Sequence, residues 1–284
     1  MLGAIIGDMV GSLYEFHPIK TKKFEIFDNR MRMTDDSYCT LAVAKVLVDH
    51  YPFSFDEQSL KDIQKDLIRE FSLAWYHHKG CGFGGMFFRW CERAFKTGYA
   101  EPYHSYGNGS AMRISPVGWL AKSEEEVKIL SKTVTEITHN HPEGIKGAEA
   151  VAMAIFLARN GASKEEIRER MVNEYYPEIN SLDFDDLVEH YEFSEICQKS
   201  VPQAIYCFLI SNSLEDTIRN CVAIGGDSDT TGSMAGAIAE AFYQKDKVSK
   251  FEEKYLYWMI DPKVERQIIG LHETIGSKKF SDHK

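Results

Sequence analysis

The sequence predicts an all-α protein that folds as a single domain over residues 1–284. Apolar residues recur at the three- and four-residue spacing of an amphipathic helix through most of the chain. No segment alternates apolar and polar residues convincingly enough to predict a strand. The chain has 284 residues, 44% of them apolar, which is sufficient for one substantial core. These observations favour one domain made of many helices.

The predicted helices are defined by their apolar faces. The N-terminal segment places six apolar side chains on one face: Leu2, Ile5, Ile6, Met9, Val10 and Leu13. A second helix is predicted after Thr34, with Leu41, Ala44 and Val48 among its apolar residues. The same periodicity predicts further helices at about residues 57–78, 84–97, 123–138, 143–160, 163–175, 194–210, 213–223, 228–244, 248–259 and 262–274.

Glycine-rich and acidic segments interrupt this helical pattern. Residues 80–85 are rich in glycine and precede an aromatic helix, and residues 105–110 precede another helix start. The segment at about 174–195 has weak periodicity and many charges. We expect it to form an acidic surface excursion from the domain.

The charge of the chain limits its partners. The formal net charge is −10, whereas general binding to nucleic acid or to an anionic membrane requires a basic face. A small anionic ligand is still allowed, because metal ions and helix N-termini hold phosphates locally. No run of apolar residues approaches the length of a membrane span.

The cysteines and the N-terminal segment indicate a reduced, cytoplasmic setting. Six cysteines occur and none forms a Cys-x-x-Cys pair, so we expect most of them to be small core residues. The segment Met1–Val10 lacks a positively charged start and is interrupted by Asp8, which argues against a signal peptide. A monomer is the default expectation.

Two acidic clusters carry the strongest chemical signal. Thr34–Asp36 and Asp227–Thr230 each place two carboxylates and a threonine hydroxyl at a predicted helix start. Such hard oxygen donors suit Mg²⁺ or Mn²⁺, and two clusters that meet would supply a two-metal centre. In the second cluster, Asp229 has the best placement to bridge two ions. Either cluster alone has an alternative explanation, because Asp and Thr are common helix caps.

Several motifs follow one another in the order of a known family. Gly7–Glu15, Thr34–Asp36, Ser105–Gly109, Thr138–His139 and Gly225–Thr230 together resemble the ADP-ribosylglycohydrolases, which include dinitrogenase reductase-activating glycohydrolase. The resemblance covers residues 1 to about 245. It implies an orthogonally packed multi-helix bundle with a dinuclear Mg²⁺ or Mn²⁺ centre. The metal ligands that it implies are Thr34, Asp35, Asp36, Asp227, Asp229 and Thr230.

The activity implied by the resemblance is hydrolysis at C1″ of the distal ribose of an ADP-ribose conjugate. Catalysis would then involve Glu15, Asp35 and Asp229. A glycosidic carbon reacts through an oxocarbenium-like state, and metal ions can both orient the ribose and activate water. The acceptor is a protein side chain or a small group: arginine, serine, a nucleobase, or an acetyl or phosphate ester. The Gly11–Glu15 segment is closer to the serine-type branch.

Glu15 has two interpretations. An isolated glutamate near a helix end is usually a solvated residue. The resemblance places the catalytic or gating glutamate at this position, as a general base, a water-orienting group or a metal ligand. The polar segment that follows contains Lys20, Lys22 and Lys23 and is a candidate mobile lid.

The predicted substrate-binding residues form a glycine loop and a histidine. The loop comprises Ser105, Tyr106, Gly107, Asn108 and Gly109. Its backbone amides beside a predicted helix start suit a diphosphate, and the alternative is a plain turn that leads into the helix. His139 contacts the substrate in one interpretation and is simply a packed residue in the other. Asp8 is expected to be a buried hydrogen-bonding residue. The aromatic side chains Phe83, Phe87, Phe88 and Trp90 are expected in the core and not as an adenine platform.

Three alternative functions fit these residues less well. A catalytically inactive relative of the same fold, binding ADP-ribose or serving as a structural protein, is disfavoured because clustered carboxylates are costly to retain. Isoprenoid synthases need an acid where this chain has Cys39. Phosphohydrolases of the His-Asp type need a His-Asp dipeptide, which does not occur in the sequence.

Overall fold

The computed structural model describes residues 1–280, and within them it contains fourteen α-helices and no β-strand. The prediction of an all-α protein is therefore confirmed. The first seven helices are α1 (Leu2–Gly11), α2 (Asp35–Asp49), α3 (Glu57–His77), α4 (Gly85–Thr97), α5 (Ser115–Leu120), α6 (Glu124–Thr135) and α7 (Pro142–Arg159). The remaining seven are α8 (Lys164–Glu174), α9 (Phe184–His190), α10 (Cys197–Leu209), α11 (Leu214–Ile224), α12 (Ser228–Tyr243), α13 (Lys250–Trp258) and α14 (Pro262–Thr274).

Sequence periodicity predicted the long helices and missed the short ones. Helices α5 and α9 have six and seven residues, and two turns of 3-10 helix cover Asn108–Ser110 and Pro177–Ser181. Elements of two turns or fewer contain too few residues for a 3.6-residue period to show. Among the described residues, no helix is both long and apolar enough to traverse a bilayer.

The centre of the bundle is an antiparallel contact between α1 and α12. All ten residues of α1 are buried, and α12 is buried from Ser228 to Ala241. Gly3 faces Gly236 and Gly7 faces Gly232 so closely that a Cβ atom on Gly7 would lie 2.0 Å from the Gly232 carbonyl oxygen. Only glycine permits this approach of two backbones. Helices α7, α10 and α11 pack around α12.

The distant end of α12 holds a buried network of charges. The Glu240 carboxylate accepts hydrogen bonds from the Met1 amine, the Gly3 amide and the Lys279 ammonium group. Lys279 also donates to Glu252 on α13. Because all the charges in this network are paired, it ties α1, α12, α13 and the C-terminal segment together without leaving an isolated buried ion.

The segment after α1 is anchored at several points. Lys20 donates hydrogen bonds to the carbonyl oxygens of Tyr191 and Ile224, and Lys22 pairs with Asp216. Arg219 donates to the carbonyl oxygens of Lys22 and Phe24. The segment considered as a mobile lid is thus fixed against α11 along much of its length.

The acidic segment at 174–195 is only partly a solvated surface. Its charged side chains are largely exposed, whereas Tyr176, Ile179 and Leu187 are buried. Its last residues return to the body of the domain, where the Glu195 carbonyl oxygen accepts the Asn108 amide. Buried contacts far apart in the chain are invisible to local periodicity, so the sequence showed only the charged face.

The α1–α12 contact makes Gly7→Ala a sharp test of the fold. The added methyl group would force the two backbones apart, and such overpacking costs about 1–3 kcal/mol of the free energy of unfolding. We expect thermal unfolding to show a lower Tm. The matched control is Gly270→Ala in α14. There the new methyl group would meet no heavy atom of the described residues within 4 Å, apart from its chain neighbours and its own helix backbone. This control should raise stability by up to about 1 kcal/mol, and equal losses in the two variants would contradict the tight contact.

Candidate functional site

The two acidic clusters meet at the N-termini of α2 and α12. The Thr230 hydroxyl on α12 lies 3.4 Å from Asp36 Oδ2 on α2, although the two residues are 194 positions apart in the chain. At the same place the Ser228 hydroxyl donates to the Gly11 carbonyl oxygen at the end of α1. The close approach of α1 and α12 therefore brings the segment after α1, including Glu15, to the carboxylates.

A cavity of about 520 Å³ opens over these side chains. Every residue predicted as a metal ligand or catalytic group lines it, as do Ser105, Gly107, Asn108, Gly109 and His139. Tyr106 does not: its side chain is 45% exposed and lies beside His141 outside the cavity. The fold thus brings together all the predicted site residues except Tyr106.

The first cluster combines a helix cap with free carboxylate oxygens. Thr34 is the N-cap of α2 and accepts a hydrogen bond from the Asp36 amide, so the capping explanation holds for this residue. The Asp36 carboxyl is buried, and its Oδ1 has no hydrogen-bond partner among residues 1–280. A buried carboxylate oxygen without a partner indicates a missing cation or donor. The cap alone does not account for Asp36.

The second cluster does more than bond to its own helix start, where the Asp229 side chain accepts the Thr230 amide at 2.9 Å. Asp227 precedes α12 but makes no side-chain capping bond to it; its Oδ2 instead accepts a hydrogen bond of 2.7 Å from the Asn108 side chain. One carboxylate oxygen each from Glu15, Asp227 and Asp229 lie within 4.8 Å of one another. This arrangement can hold a divalent cation, and half-buried Glu15 is part of it.

The electrostatics of the cavity favour binding of a cation. Burial, followed by the charge of Asp8, raises the pKa of Asp35 to about 8. Burial, followed by the charge of Asp227, raises the pKa of Glu15 to about 7. Burial and neighbouring carboxylates also raise the pKa values of Asp36 and Asp229. Clustered carboxylates with only oxygen donors fit Mg²⁺ or Mn²⁺, which would relieve their repulsion.

Asp8, on α1, holds the first acidic cluster in place through hydrogen bonds. It is fully buried, as the sequence predicted. Its Oδ1 accepts the Thr34 hydroxyl at 2.7 Å, and its Oδ2 accepts the amides of Thr34 and Ser37 at 2.9 and 3.2 Å and also the Ser37 hydroxyl. Because Asp8 lies on α1, these bonds fix the start of α2 against the central helix.

The loop 105–109 borders the cavity and is fixed by hydrogen bonds and by contact with His139. The Ser105 hydroxyl accepts the Gly107 amide, and the side chain of Asn108 is occupied by Asp227. Gly107 and Gly109 lie against His139, whose Nε2 would be 3.6 and 3.3 Å from Cβ atoms at these two positions. Larger residues would fill the space between the loop and the imidazole.

The orientation of His139 is set by a chain of hydrogen bonds that the sequence did not reveal. Buried Arg113 donates from Nη2 to the Thr138 hydroxyl at 2.7 Å, and that hydroxyl lies 2.8 Å from His139 Nδ1. Burial, followed by the Arg113 guanidinium, holds the pKa of His139 well below its ordinary value. If the Thr138 hydroxyl donates to Nδ1, the neutral ring carries its proton on Nε2, beside the glycine loop.

Several cavity residues carry no sequence signal of their own. The aromatic residues Phe83, Phe87 and Trp90 are buried, as predicted, whereas Phe88 is only partly buried. Phe87 also lines the cavity. Lining residues absent from the predicted site include Ser12, Phe16, Arg32, Met86, Arg89, Tyr103, Met112, Arg113, Phe193 and Glu195. Their side chains come from separate segments, and only the fold brings them together.

Comparison with known proteins places the sequence of this chain in a family. Residues 1–252 match the family model described as ADP-ribosylglycohydrolase. The chain is 27% identical to human ADP-ribosylhydrolase ARH3 over 87% of this chain and 85% of that protein. It is 24% identical to the ADP-ribosyl-[dinitrogen reductase] glycohydrolase of Rhodospirillum rubrum, over 97% and 95% of the two chains.

A solved structure supports the fold. A chain of an ADP-ribosylglycohydrolase-related protein complex superposes with a TM-score of 0.70 and 22% identity, covering 96% of each chain. The chain belongs to the ADP-ribosylglycohydrolase family.

Substituting Asp8 tests whether it organises the site. In Asp8→Asn, one carboxylate oxygen becomes an amide nitrogen, which cannot accept the bonds that Thr34 and Ser37 donate. The unpaired buried donors should lower the free energy of unfolding by about 1–3 kcal/mol in urea titrations. Asp62→Asn on α3, an exposed residue that accepts one hydrogen bond from Gln58, is the control. It should change stability by less than about 0.5 kcal/mol; similar values for both variants would refute the organising role.

Proposed function

We propose that this protein is a metal-dependent hydrolase that cleaves the C1″ glycosidic bond of an ADP-ribose conjugate and releases ADP-ribose. The observation that supports it most is the convergence of Glu15 with Asp227 and Asp229 inside a cavity that also contains the first acidic cluster. Glycosidic hydrolysis needs a positioned carboxylate and charge stabilisation at the anomeric carbon. The cavity provides both.

The residues proposed to hold two Mg²⁺ or Mn²⁺ ions are Thr34, Asp35, Asp36, Asp227, Asp229 and Thr230. The donor set consists of carboxylate and hydroxyl oxygens, and Asp36 Oδ1 is buried without a partner in the described part of the chain. When bound, the ions would orient the ribose hydroxyls and lower the pKa of a coordinated water.

Glu15 is proposed to act on the attacking water. Its carboxylate lies at the edge of the carboxylate cluster and is half-buried, so that it faces both the cavity and solvent. It would accept a proton from the water as the water oxygen attacks C1″. The acceptor would leave with the electron pair of its broken bond to C1″ and take up a proton from solvent. Asp35 and Asp229 stabilise the positive charge that develops on the sugar.

The remaining groups are proposed to bind the invariant part of the substrate. The diphosphate would lie along residues 105–109, beside the Ser105 hydroxyl and His139 Nε2, whose residues line the cavity. A neutral histidine with its proton on Nε2 can donate to a phosphate oxygen at any pH near neutrality. Asn108 and Arg113 act as positioning residues, through Asp227 and Thr138 respectively.

The partner is proposed to be an ADP-ribosylated protein or a small ADP-ribose conjugate. Two relatives are named for particular conjugates: the dinitrogen reductase enzyme of Rhodospirillum rubrum and an ADP-ribosylarginine hydrolase of Pseudomonas putida, 25% identical to this chain. The direct test is ADP-ribose release from arginine-linked, serine-linked and O-acetyl conjugates, with and without Mg²⁺ or Mn²⁺. Tight binding of ADP-ribose without release from any conjugate would leave a binding protein and refute the hydrolase.

Removing the metal ions tests the proposed centre. Exhaustive chelation with EDTA should abolish ADP-ribose release, because the carboxylates would then repel one another without orienting the sugar. The same treatment should lower the Tm measured by calorimetry, and Mg²⁺ or Mn²⁺ should restore both properties. Asp185→Ala, an exposed acid on α9, provides a control that should respond to chelation as the unmodified protein does. Full activity after chelation would refute the metal centre.

Glu15→Gln separates catalysis from binding. The substitution keeps the shape and hydrogen-bonding capacity of the side chain but removes its basic oxygen. Turnover should fall by roughly 10²-fold or more, since general-base catalysis contributes about that factor. The affinity for ADP-ribose, measured by calorimetry, should change much less than turnover. An unchanged turnover number would remove Glu15 from the mechanism.

A further inference from the structure

Two arginines mark a part of the cavity that the proposed mechanism does not use. Arg32, before α2, and Arg89, in the second turn of α4, both line the cavity, and both are exposed. Within residues 1–280, neither guanidinium group has an ion-pair or side-chain hydrogen-bond partner, although many of the exposed lysines and arginines do. The third lining arginine, Arg113, is buried and bonded to Thr138.

The two loops of the cavity contact different members of the carboxylate cluster. Asp35 donates its amide to the Cys81 carbonyl oxygen, and a Cβ atom on Gly82 would lie 2.8 Å from Asp35 Oδ1. The loop 80–85 therefore adjoins Asp35. The loop 105–109 adjoins Asp227 through Asn108.

In this arrangement, the loop 105–109 and the loop 80–85 would contact different parts of the substrate. If the diphosphate lies along residues 105–109 and the distal ribose over the carboxylates, the bond at C1″ points away from the diphosphate, toward residues 80–89. The Arg89 guanidinium lies beside this loop, 3.9 Å from a Cβ atom built on Gly85. Arg32 lies beside the end of α1, where its amide is 3.5 Å from the Ser12 hydroxyl.

We propose that Arg32 and Arg89 form an acceptor subsite that recognises an anionic leaving group, specifically a phosphate on C1″. Among the cavity-lining side chains, six are acidic: Glu15, Asp35, Asp36, Glu195, Asp227 and Asp229. Among the described residues that line the cavity, Arg32 and Arg89 are the only exposed ones with a cationic side chain, and both guanidinium groups are unpaired. Guanidinium binds phosphate through two parallel hydrogen bonds, which ammonium cannot reproduce.

The subsite rests on the proposed function, because it concerns the group that departs from C1″. Hydrolysis of ADP-ribose 1″-phosphate breaks the bond between C1″ and the phosphate ester oxygen. Water adds its oxygen to C1″, and inorganic phosphate leaves with the ester oxygen and the electron pair of the broken bond. The arginines stabilise the charge on that phosphate and keep it apart from the acidic cluster.

The test compares two ligands that differ only in the acceptor phosphate. Dissociation constants for ADP-ribose 1″-phosphate and ADP-ribose are measured with Mg²⁺ in the Glu15→Gln background, so that the conjugate survives the titration. Arg32→Gln and Arg89→Gln should each reduce the preference for the phosphate conjugate about tenfold, the range for hydrogen bonds to a charged group. Arg32→Lys and Arg89→Lys should recover only part of it. Arg93→Gln, one turn further along α4 and outside the cavity lining, is the matched control.

Each outcome decides the inference separately from the proposed function. If the ratio of the two dissociation constants is unchanged in both arginine variants, the proposed subsite is overturned. The same holds if both ligands bind more weakly by the same factor, because the arginines would then contact the ADP-ribose portion that the ligands share. An equal loss in Arg93→Gln also overturns it, since general surface charge would then explain the preference. Failure to release ADP-ribose from any conjugate would refute the hydrolase, whereas the ratio of dissociation constants would still decide the subsite.

Discussion

The site depends on one packing constraint, the backbone contact between α1 and α12. Glycines on both helices remove the side chains that would otherwise separate them, and the two helices run antiparallel in direct contact. The C-terminal end of α1 therefore meets the N-terminal end of α12, where Ser228 bonds to Gly11. Glu15 follows four residues after Gly11, and Asp227 and Asp229 flank Ser228. A small separation of the helices would move the glutamate away from its two aspartates.

A second consequence of this contact is that it buries several carboxylates close together, where their negative charge is unfavourable. Burial raises the pKa values of Glu15, Asp35 and Asp36 because water is excluded from them. Asp8 shows how the same fold satisfies a buried carboxylate that is structural: it receives hydrogen bonds from Thr34 and Ser37 at both oxygens. Among the described residues, Asp36 Oδ1 in the cavity has no donor, and this contrast distinguishes the first acidic cluster from a purely structural carboxylate.

The side chains around the carboxylate cluster differ between the two sides of the cavity. On the side of Asp227 lie the glycine loop and His139, and the histidine is oriented by buried Arg113 through Thr138. On the side of Asp35, the nearest loop is followed by Arg89, whose charge has no partner within the described residues. An ADP-ribose conjugate has the same division, with an invariant diphosphate on one side of the distal ribose and a variable acceptor on the other.

The sequence by itself determined the helical class, the longer helices and the residues of the two acidic clusters, because periodicity and N-terminal capping are local properties of the chain. It could not show which of these side chains cap a helix: Thr34 caps α2, whereas Asp227 makes no capping bond to α12. Only the tertiary structure decided that Glu15 joins the second cluster, that Tyr106 lies outside the cavity, and that Arg32, Arg89 and Arg113 line it. These relations join residues far apart in the chain, and helix packing sets them.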